Sequence, residues 1–218
     1  MRAFIFANGK YTVSLHPPDF LDDDLIIAVD GGSRHCQAFK VVPDILIGDL
    51  DSADPNLAAS WELMGVEIIL HPQDKDQTDL ELALLLAQER EAEEAFVYGA
   101  VGGRLDMTFA NLFLLAHPEL VIPITLIQQN QEVHLLRPGN SLTLAGSAED
   151  ALSLLPLHQD GAIVSAQGVQ YPLEGENLAF GLTRGISNKL TNNNAVITLE
   201  SGLLAVILSR STTLEEVS

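Results

Sequence analysis

Six short apolar runs, at residues 3–7, 25–29, 45–47, 66–70, 95–98 and 124–127, are separated by segments long enough for helices. Runs that are apolar at nearly every position suit strands covered on both faces, and strands alternating with helices make a parallel sheet. Between them, 57–64, 80–89 and 105–116 are predicted as helices. The second opens at Thr78 or Asp79, with the carboxylates of Asp79 and Glu81 in its first turn and Leu82, Leu85 and Leu86 as its buried stripe. The third stops before Pro118, which disfavours a helical His117.

The pattern changes near Arg137-Pro138-Gly139. Beyond it, runs at 142–144, 152–157, 162–164, 169–172, 195–199 and 203–208 are separated by Gly, Asn and Pro, as in an antiparallel β domain. Glu200-Ser201-Gly202 predicts a short hairpin turn, and 209–218 a frayed tail. The expectation is an α/β chain: a Rossmann-like, mainly parallel sheet with flanking helices over 1–136, then an antiparallel β-sandwich over 137–218.

Eleven Lys plus Arg against thirty Asp plus Glu give a net charge of −19. That balance argues against nucleic acid and anionic membranes as partners, because cations supply the affinity for phosphate backbones. No apolar stretch approaches the roughly 20 residues of a spanning helix. The single cysteine, Cys36, forms no intrachain disulfide, and the first residues do not read as a signal peptide. A cytoplasmic protein is expected, with Cys36 as a small buried side chain and not a nucleophile.

In an open parallel sheet, ligands bind outside the carboxyl ends of the strands. Here four successive ends are acidic and glycine-rich: Asp30-Gly31-Gly32, then Gly48-Asp49-Leu50-Asp51-Ser52, then His71 through Asp79, then Gly99 through Asp106. Asp49 and Asp51, joined by Asp76 and Asp79, would gather hard oxygen ligands of the kind Mg²⁺ takes. Taken alone, Asp49 to Ser52 could equally turn the chain and cap the next helix. Lys75, Arg104, Arg184 and Lys189 fall within the polar motifs of this acidic chain, which suggests local anion recognition. Arg104 follows Gly102-Gly103 and opens a helix, a geometry that suits phosphate, although Gly102-Gly103 alone could be an ordinary βα turn. The P-loop and the dinucleotide fingerprint are both missing. The six histidines show no close metal-ligand spacing, so zinc is not implied. Metal-assisted phosphoryl chemistry fits this rim.

These segments, with Asp74-Lys75-Asp76-Gln77-Thr78-Asp79 and Gly185-Ile186-Ser187-Asn188, resemble the thiamine pyrophosphokinase family in order and spacing across both halves. The resemblance implies transfer of diphosphate from ATP to the hydroxyethyl oxygen of thiamine, giving thiamine diphosphate and AMP, with Mg²⁺ as cofactor. It implies that Asp49, Asp51 and Asp76 hold metal. Asp30, Gly31, Lys75, Gly102, Gly103 and Arg104 would face ATP, and Ser187 and Asn188 would contact thiamine across a homodimer interface. The catalytic set would be Asp76, Asp79, Arg104 and Asp106. Any of the three aspartates could accept the hydroxyl proton, and the sequence does not choose among them.

One position departs from the family pattern. Met107 stands where the family usually has His after the Asp of the Gly-Gly-Arg-x-Asp segment, and methionine neither transfers a proton nor donates a hydrogen bond. Two other readings of the rim are a diphosphotransferase acting on another hydroxyalkyl heterocycle, such as a hydroxymethylpterin, and a noncatalytic nucleotide sensor.

Overall fold

The first six apolar runs become the strands of one parallel sheet. They are β1 (Arg2–Phe6), β2 (Leu25–Val29), β3 (Ile45–Gly48), β4 (Glu67–Leu70), β5 (Glu94–Tyr98) and β6 (Ile124–Gln128). Their order is β6-β5-β1-β2-β3-β4, and every pairing among them is parallel. The structure is a computed structural model that describes residues 1–10, 18–51 and 53–211. It divides into two units, Met1–Gln129 and Asn130–Ser218. The division precedes the expected boundary at 136/137 because the segment after β6 is a strand of the second unit, paired to that unit's last strand.

Strand order positions the site. From β1 the chain steps outward through β2 and β3 to the edge strand β4, then returns to the other side of β1 as β5. Connections leave β1 and β5 in opposite directions, and the crevice at such a reversal is where open α/β sheets bind ligands. The inner strands are buried, including Ile5, Phe6, Ile27, Leu46 and Val97. On one face Phe4, Phe6, Trp61, Val66 and Tyr98 form a core cluster.

Four helices flank these strands: α1 (Ser33–Phe39), α2 (Pro55–Leu63), α3 (Asp79–Glu89) and α4 (Leu105–Leu114). Helix α2 starts earlier than expected because Asp54 caps it, accepting from the Asn56 N–H at 2.9 Å, and Pro55 supplies a preset φ at its first position. Thr78 caps α3 by accepting from the Glu81 N–H at 3.2 Å. The buried stripe of α3 is Leu80, Ala83, Leu84 and Ala87, not Leu82, Leu85 and Leu86, which are half-buried. The two alanines let the helix lie close to the sheet. Cys36 is fully buried, and burial pushes its thiol up to about 12, so it is no nucleophile at neutral pH.

The second unit is an antiparallel sandwich. One sheet pairs β7 (Gln131–Leu136), β14 (Leu204–Ser209), β9 (Ala151–Pro156) and β12 (Asn188–Lys189). The other has the order β11 (Leu173–Leu178), β10 (Ala162–Gln167), β13 (Asn194–Ser201) and β8 (Ser141–Ala145). Inward residues of both, such as Leu154, Val164, Ile197 and Val206, make a shared core. Three expectations change. Residues 169–172 form only a single bridge, Val169 to Leu190, and the strand follows Pro172, which has no N–H to donate. Glu200-Ser201-Gly202 does not close a hairpin, because β13 and β14 belong to different sheets. Of the expected tail, Ser209 ends β14 and Ser211 donates to Asp150 Oδ1 through its N–H at 2.8 Å and its hydroxyl at 2.9 Å, while 212–218 lie outside the described residues.

At the base of β1, Arg2 grips Asp24 with Nε at 3.0 Å and Nη2 at 2.5 Å, and the Leu21 N–H also donates to this carboxylate at 2.8 Å. The guanidinium hydrogen bond holds the Asp24 carboxyl below its ordinary value of 3.8. A depressed folded-state pKa gives stability that is present above the unfolded value and lost as pH falls through the folded one. Asp24→Asn is therefore expected to lower unfolding free energy by about 1–2 kcal/mol at pH 7. Urea titrations repeated at decreasing pH should show that gap closing below pH 3.8.

No helix among the described residues is long and apolar enough to cross a membrane.

Candidate active site

Three strand-end carboxylates converge. Among the described residues, oxygen atoms of Asp30, Asp49 and Asp51 lie within 4.8 Å of one another. The backbone is bent to bring them there. Asp30 (φ 47°) begins a single helical turn after β2, and Leu50 (φ 59°) reverses the chain between Asp49 and Asp51, both in the left-handed region that side chains rarely adopt. Leu50 in turn donates its N–H to Asp30 Oδ1 at 3.0 Å, tying the β3 loop to the β2 loop. Gly48 makes room, since a Cβ there would lie 2.1 Å from Asp30 Oδ1.

Asp30 is only 7% exposed. Burial, with the charges of Asp79 and Asp49 adding to it, pushes its carboxyl up to about 7 against the opposing Leu50 hydrogen bond. A buried carboxylate crowded by like charges, in an all-oxygen donor set, suits a hard divalent cation, which offsets the repulsion and takes water or phosphate for its other positions. The expected set named Asp49, Asp51 and Asp76. Asp30 stands in the observed group where Asp76 was expected, and Asp76 is exposed. Ser52 lies outside the described residues.

Next to this group is a cavity of about 380 Å³ at the strand-order reversal, within the size range of small-molecule sites. Its walls come from the loop after β1 (Ala7, Asn8, Gly9, Lys10), the turn after β5 (Gly99, Ala100, Gly102, Gly103), Asp30, the start of α3 (Thr78, Asp79) and the first turns of α4 (Arg104, Met107, Asn111). Asp30 thus belongs to both the carboxylate group and the cavity wall. Of the residues expected to face a nucleotide, Asp30, Gly102, Gly103 and Arg104 line this cavity, whereas Lys75 and Gly31 do not. Gly31 has a packing role: a Cβ there would meet Asn8 Oδ1 at 2.2 Å, and Arg34 spans Gly31 O (3.0 Å) and Asn8 Oδ1 (2.5 Å). The β1 loop was not among the expected site segments. The reversal of strand order between β1 and β5 is the signal that identifies it.

Gly102 (φ 91°) and Gly103 (φ 84°) are left-handed, and a Cβ on Gly103 would meet nothing within 4 Å, so these glycines serve conformation and access rather than tight packing. They lead into the start of α4, where unpaired backbone N–H groups favour anions. Arg104 donates to Asp106 at 3.2 and 2.6 Å, and the two side chains are 76% and 65% exposed. Such an exposed pair is weak and easily exchanged for a phosphate partner. The Arg104 hydrogen bond holds the Asp106 carboxyl below its ordinary value, which makes it a poor proton acceptor. Asp79 lines the cavity and accepts from Lys75 Nζ at 2.6 Å.

The remaining expected residues lie in the second unit. Arg184 is paired with Glu176, and Lys189 with Glu149 at 2.7 Å, both at the surface. Ser187 is exposed with φ 62°, and Ser153 Oγ accepts from its N–H at 3.2 Å. Asn188 is buried. Its Oδ1 accepts from the Tyr171 N–H at 3.0 Å and its Nδ2 donates to Tyr171 O at 2.8 Å, so its amide clamps the segment around Tyr171 of the same chain. His35 is buried with Nε2 2.9 Å from Gly9 O. His16 lies outside the described residues.

Two family models match the chain: the thiamin pyrophosphokinase catalytic domain over residues 20–126, and the thiamin pyrophosphokinase vitamin B1 binding domain over 139–204. The chain is similar to the thiamine pyrophosphokinase of Bacillus subtilis, with 28% identity over 186 residues, covering 85% of this chain and 87% of the relative. A crystal structure of thiamine pyrophosphokinase from that organism matches with TM-score 0.84 at 26% identity, covering 97% of this chain and all of the other. A thiamin pyrophosphokinase family protein from Enterococcus faecalis matches with TM-score 0.82 at 25% identity and the same coverage.

Proposed function

Because the chain belongs to the thiamine pyrophosphokinase family, we propose that it transfers diphosphate from ATP to the hydroxyethyl oxygen of thiamine, releasing AMP, in the cytoplasm. The observation that carries this reading is Asp30, shared by the carboxylate group and the cavity wall. It puts the carboxylate group beside a cavity of about 380 Å³ that has a glycine turn and an arginine at its rim. Asp30, Asp49 and Asp51 would hold Mg²⁺, with Asp76, expected as a ligand, outside that group. Bound Mg²⁺ supplies charge neutralisation for the phosphates.

The chain's own groups do the rest. The Gly102-Gly103 turn and the first N–H groups of α4 cradle phosphate oxygens, and Arg104 leaves Asp106 to meet the charge that develops during transfer. Of the three candidate bases, Asp79 is favoured: it lines the cavity, and Lys75 Nζ at 2.6 Å fixes its orientation. Asp106 does not line the cavity. Lys75 would reach phosphate only by releasing Asp79. For thiamine, Ser187 is the contact residue and Asn188 shapes the loop that presents it. We infer a homodimer in which Ser187 of one protomer serves the site of the other.

The test is purified protein with ATP, Mg²⁺ and thiamine, followed by separation of products. Thiamine diphosphate and AMP in equal amounts are expected. AMP formed with hydroxymethylpterin and not with thiamine would reassign the acceptor, and nucleotide binding without AMP would indicate a sensor. Met107 is half-buried on the cavity wall one helical turn before Asn111. With Arg104 and the helix terminus already supplying the phosphate field, Met107→His is expected to raise kcat by less than ~10-fold, or under about 1.4 kcal/mol of barrier.

A further inference from the structure

Asn111 is 6% exposed, on the cavity-facing side of α4. Its Nδ2 donates to the Ala100 carbonyl at 2.6 Å, which tacks the turn after β5 onto the helix. A carbonyl only accepts, so the amino side of the amide must face Ala100 and the oxygen must face away. That oxygen, Oδ1, has no hydrogen-bond partner among the described residues and less than 1 Å² of exposed surface. A buried acceptor left unpaired is costly, and such a group on the wall of a binding cavity points to a ligand.

The chemistry of the missing partner is restricted. Phosphate oxygens at neutral pH are acceptors and would repel Oδ1, so this part of the wall is not a phosphate subsite. Oδ1 is closed to a water-sized group in the free protein, so a donor reaches it only as the amide or the wall shifts on binding. We propose that Asn111 is a specificity-determining residue whose Oδ1 accepts a hydrogen bond from a neutral N–H or O–H of the bound substrate. The donor is an amino or hydroxyl group of the nucleoside or of thiamine. Asn111 thus does two things: its amino group holds the phosphate turn, and its oxygen reads an uncharged part of a ligand. The inference rests on the diphosphotransferase reading for the choice of probes.

Binding, and not turnover, tests it. Dissociation constants are measured by calorimetry with Mg²⁺ for ATP, 2′-deoxy-ATP, 3′-deoxy-ATP and purine riboside triphosphate, and for thiamine, oxythiamine and deoxythiamine. Each is measured on wild type and on Asn111→Ala, with Asn111→Leu, which fills the volume, as the second variant should alanine unfold the chain. One analogue, lacking the donor that Asn111 reads, is expected to bind wild type ~10-fold more weakly than its parent, close to 1.4 kcal/mol. In the variant the same deletion should change affinity by less than twofold, because the partner is already gone. A merely structural Asn111 would weaken all ligands alike and leave each ratio unchanged. Equal ratios in both proteins, or wild type binding every analogue within twofold of its parent, would overturn the proposal. If neither ATP nor thiamine binds, the diphosphotransferase reading falls and this inference falls with it, whereas tight binding with unchanged ratios removes this inference alone.

Discussion

Asp49→Asn and Asp51→Asn are each expected to lower kcat by at least ~100-fold, about 2.7 kcal/mol of barrier, while the far-ultraviolet spectrum and melting temperature stay close to wild type. Both residues sit on the β3 loop, where Asp49 is half-buried and Asp51 exposed, so neither amide leaves a large buried group unpaired. The oxygens they contribute lie within 4.8 Å of Asp30, and replacing one charge with an amide removes about a third of the anionic field that would attract a cation. Excess Mg²⁺ should recover part of the lost rate if binding is the step affected. Near-normal turnover in both variants would sink the metal assignment. Asp76→Asn is the informative contrast. An exposed side chain outside the carboxylate group should lose much less activity, and a loss equal to that of Asp49→Asn would return Asp76 to the ligand set.

The contrast shows which features the chain spells out locally. The inner strands were legible because burial on both faces forces apolar residues at consecutive positions, as in Ile45, Leu46 and Ile47. β7 was not, because Gln131, Glu132 and His134 interrupt its apolar residues. The glycine turn and Arg104 were readable since they are contiguous and each type has a physical reason to be there. The place of Asp30 in the carboxylate group, which Asp76 was expected to complete, was not readable. It depends on how the left-handed Leu50 folds the β3 loop back toward β2, and on a hydrogen bond between residues twenty positions apart. Asn8, Gly9 and Lys10 carry no distinctive motif and become site residues only through the return of the chain to β1's far side. The packing of Asn188 was hidden for a related reason: both ends of its amide are committed to Tyr171, a partner that no spacing rule points to.

Gly48→Ala is expected to do what neither aspartate variant does, lowering stability and activity together. Gly48 has φ 142°, a region L residues rarely enter, so alanine there carries about 1–3 kcal/mol of backbone strain. The new Cβ would also lie 2.1 Å from Asp30 Oδ1 and 2.6 Å from its Cγ. Asp30 has little freedom to retreat, because it is buried and its Oδ1 already accepts the Leu50 N–H. Displacing it breaks that bond and moves one of the three oxygens out of the carboxylate group, so activity should fall at least ~100-fold, as for direct loss of a metal-site charge. Gly65→Ala separates the two effects. Gly65 also has positive φ, 95°, but a Cβ there meets nothing within 4 Å, and it follows α2 away from the cavity. It should lose a similar increment of stability in urea titrations and keep its turnover. If Gly48→Ala behaves like Gly65→Ala, with strain but an intact rate, then the carboxylate of Asp30 does not need the position it occupies, and its place in the metal site is lost.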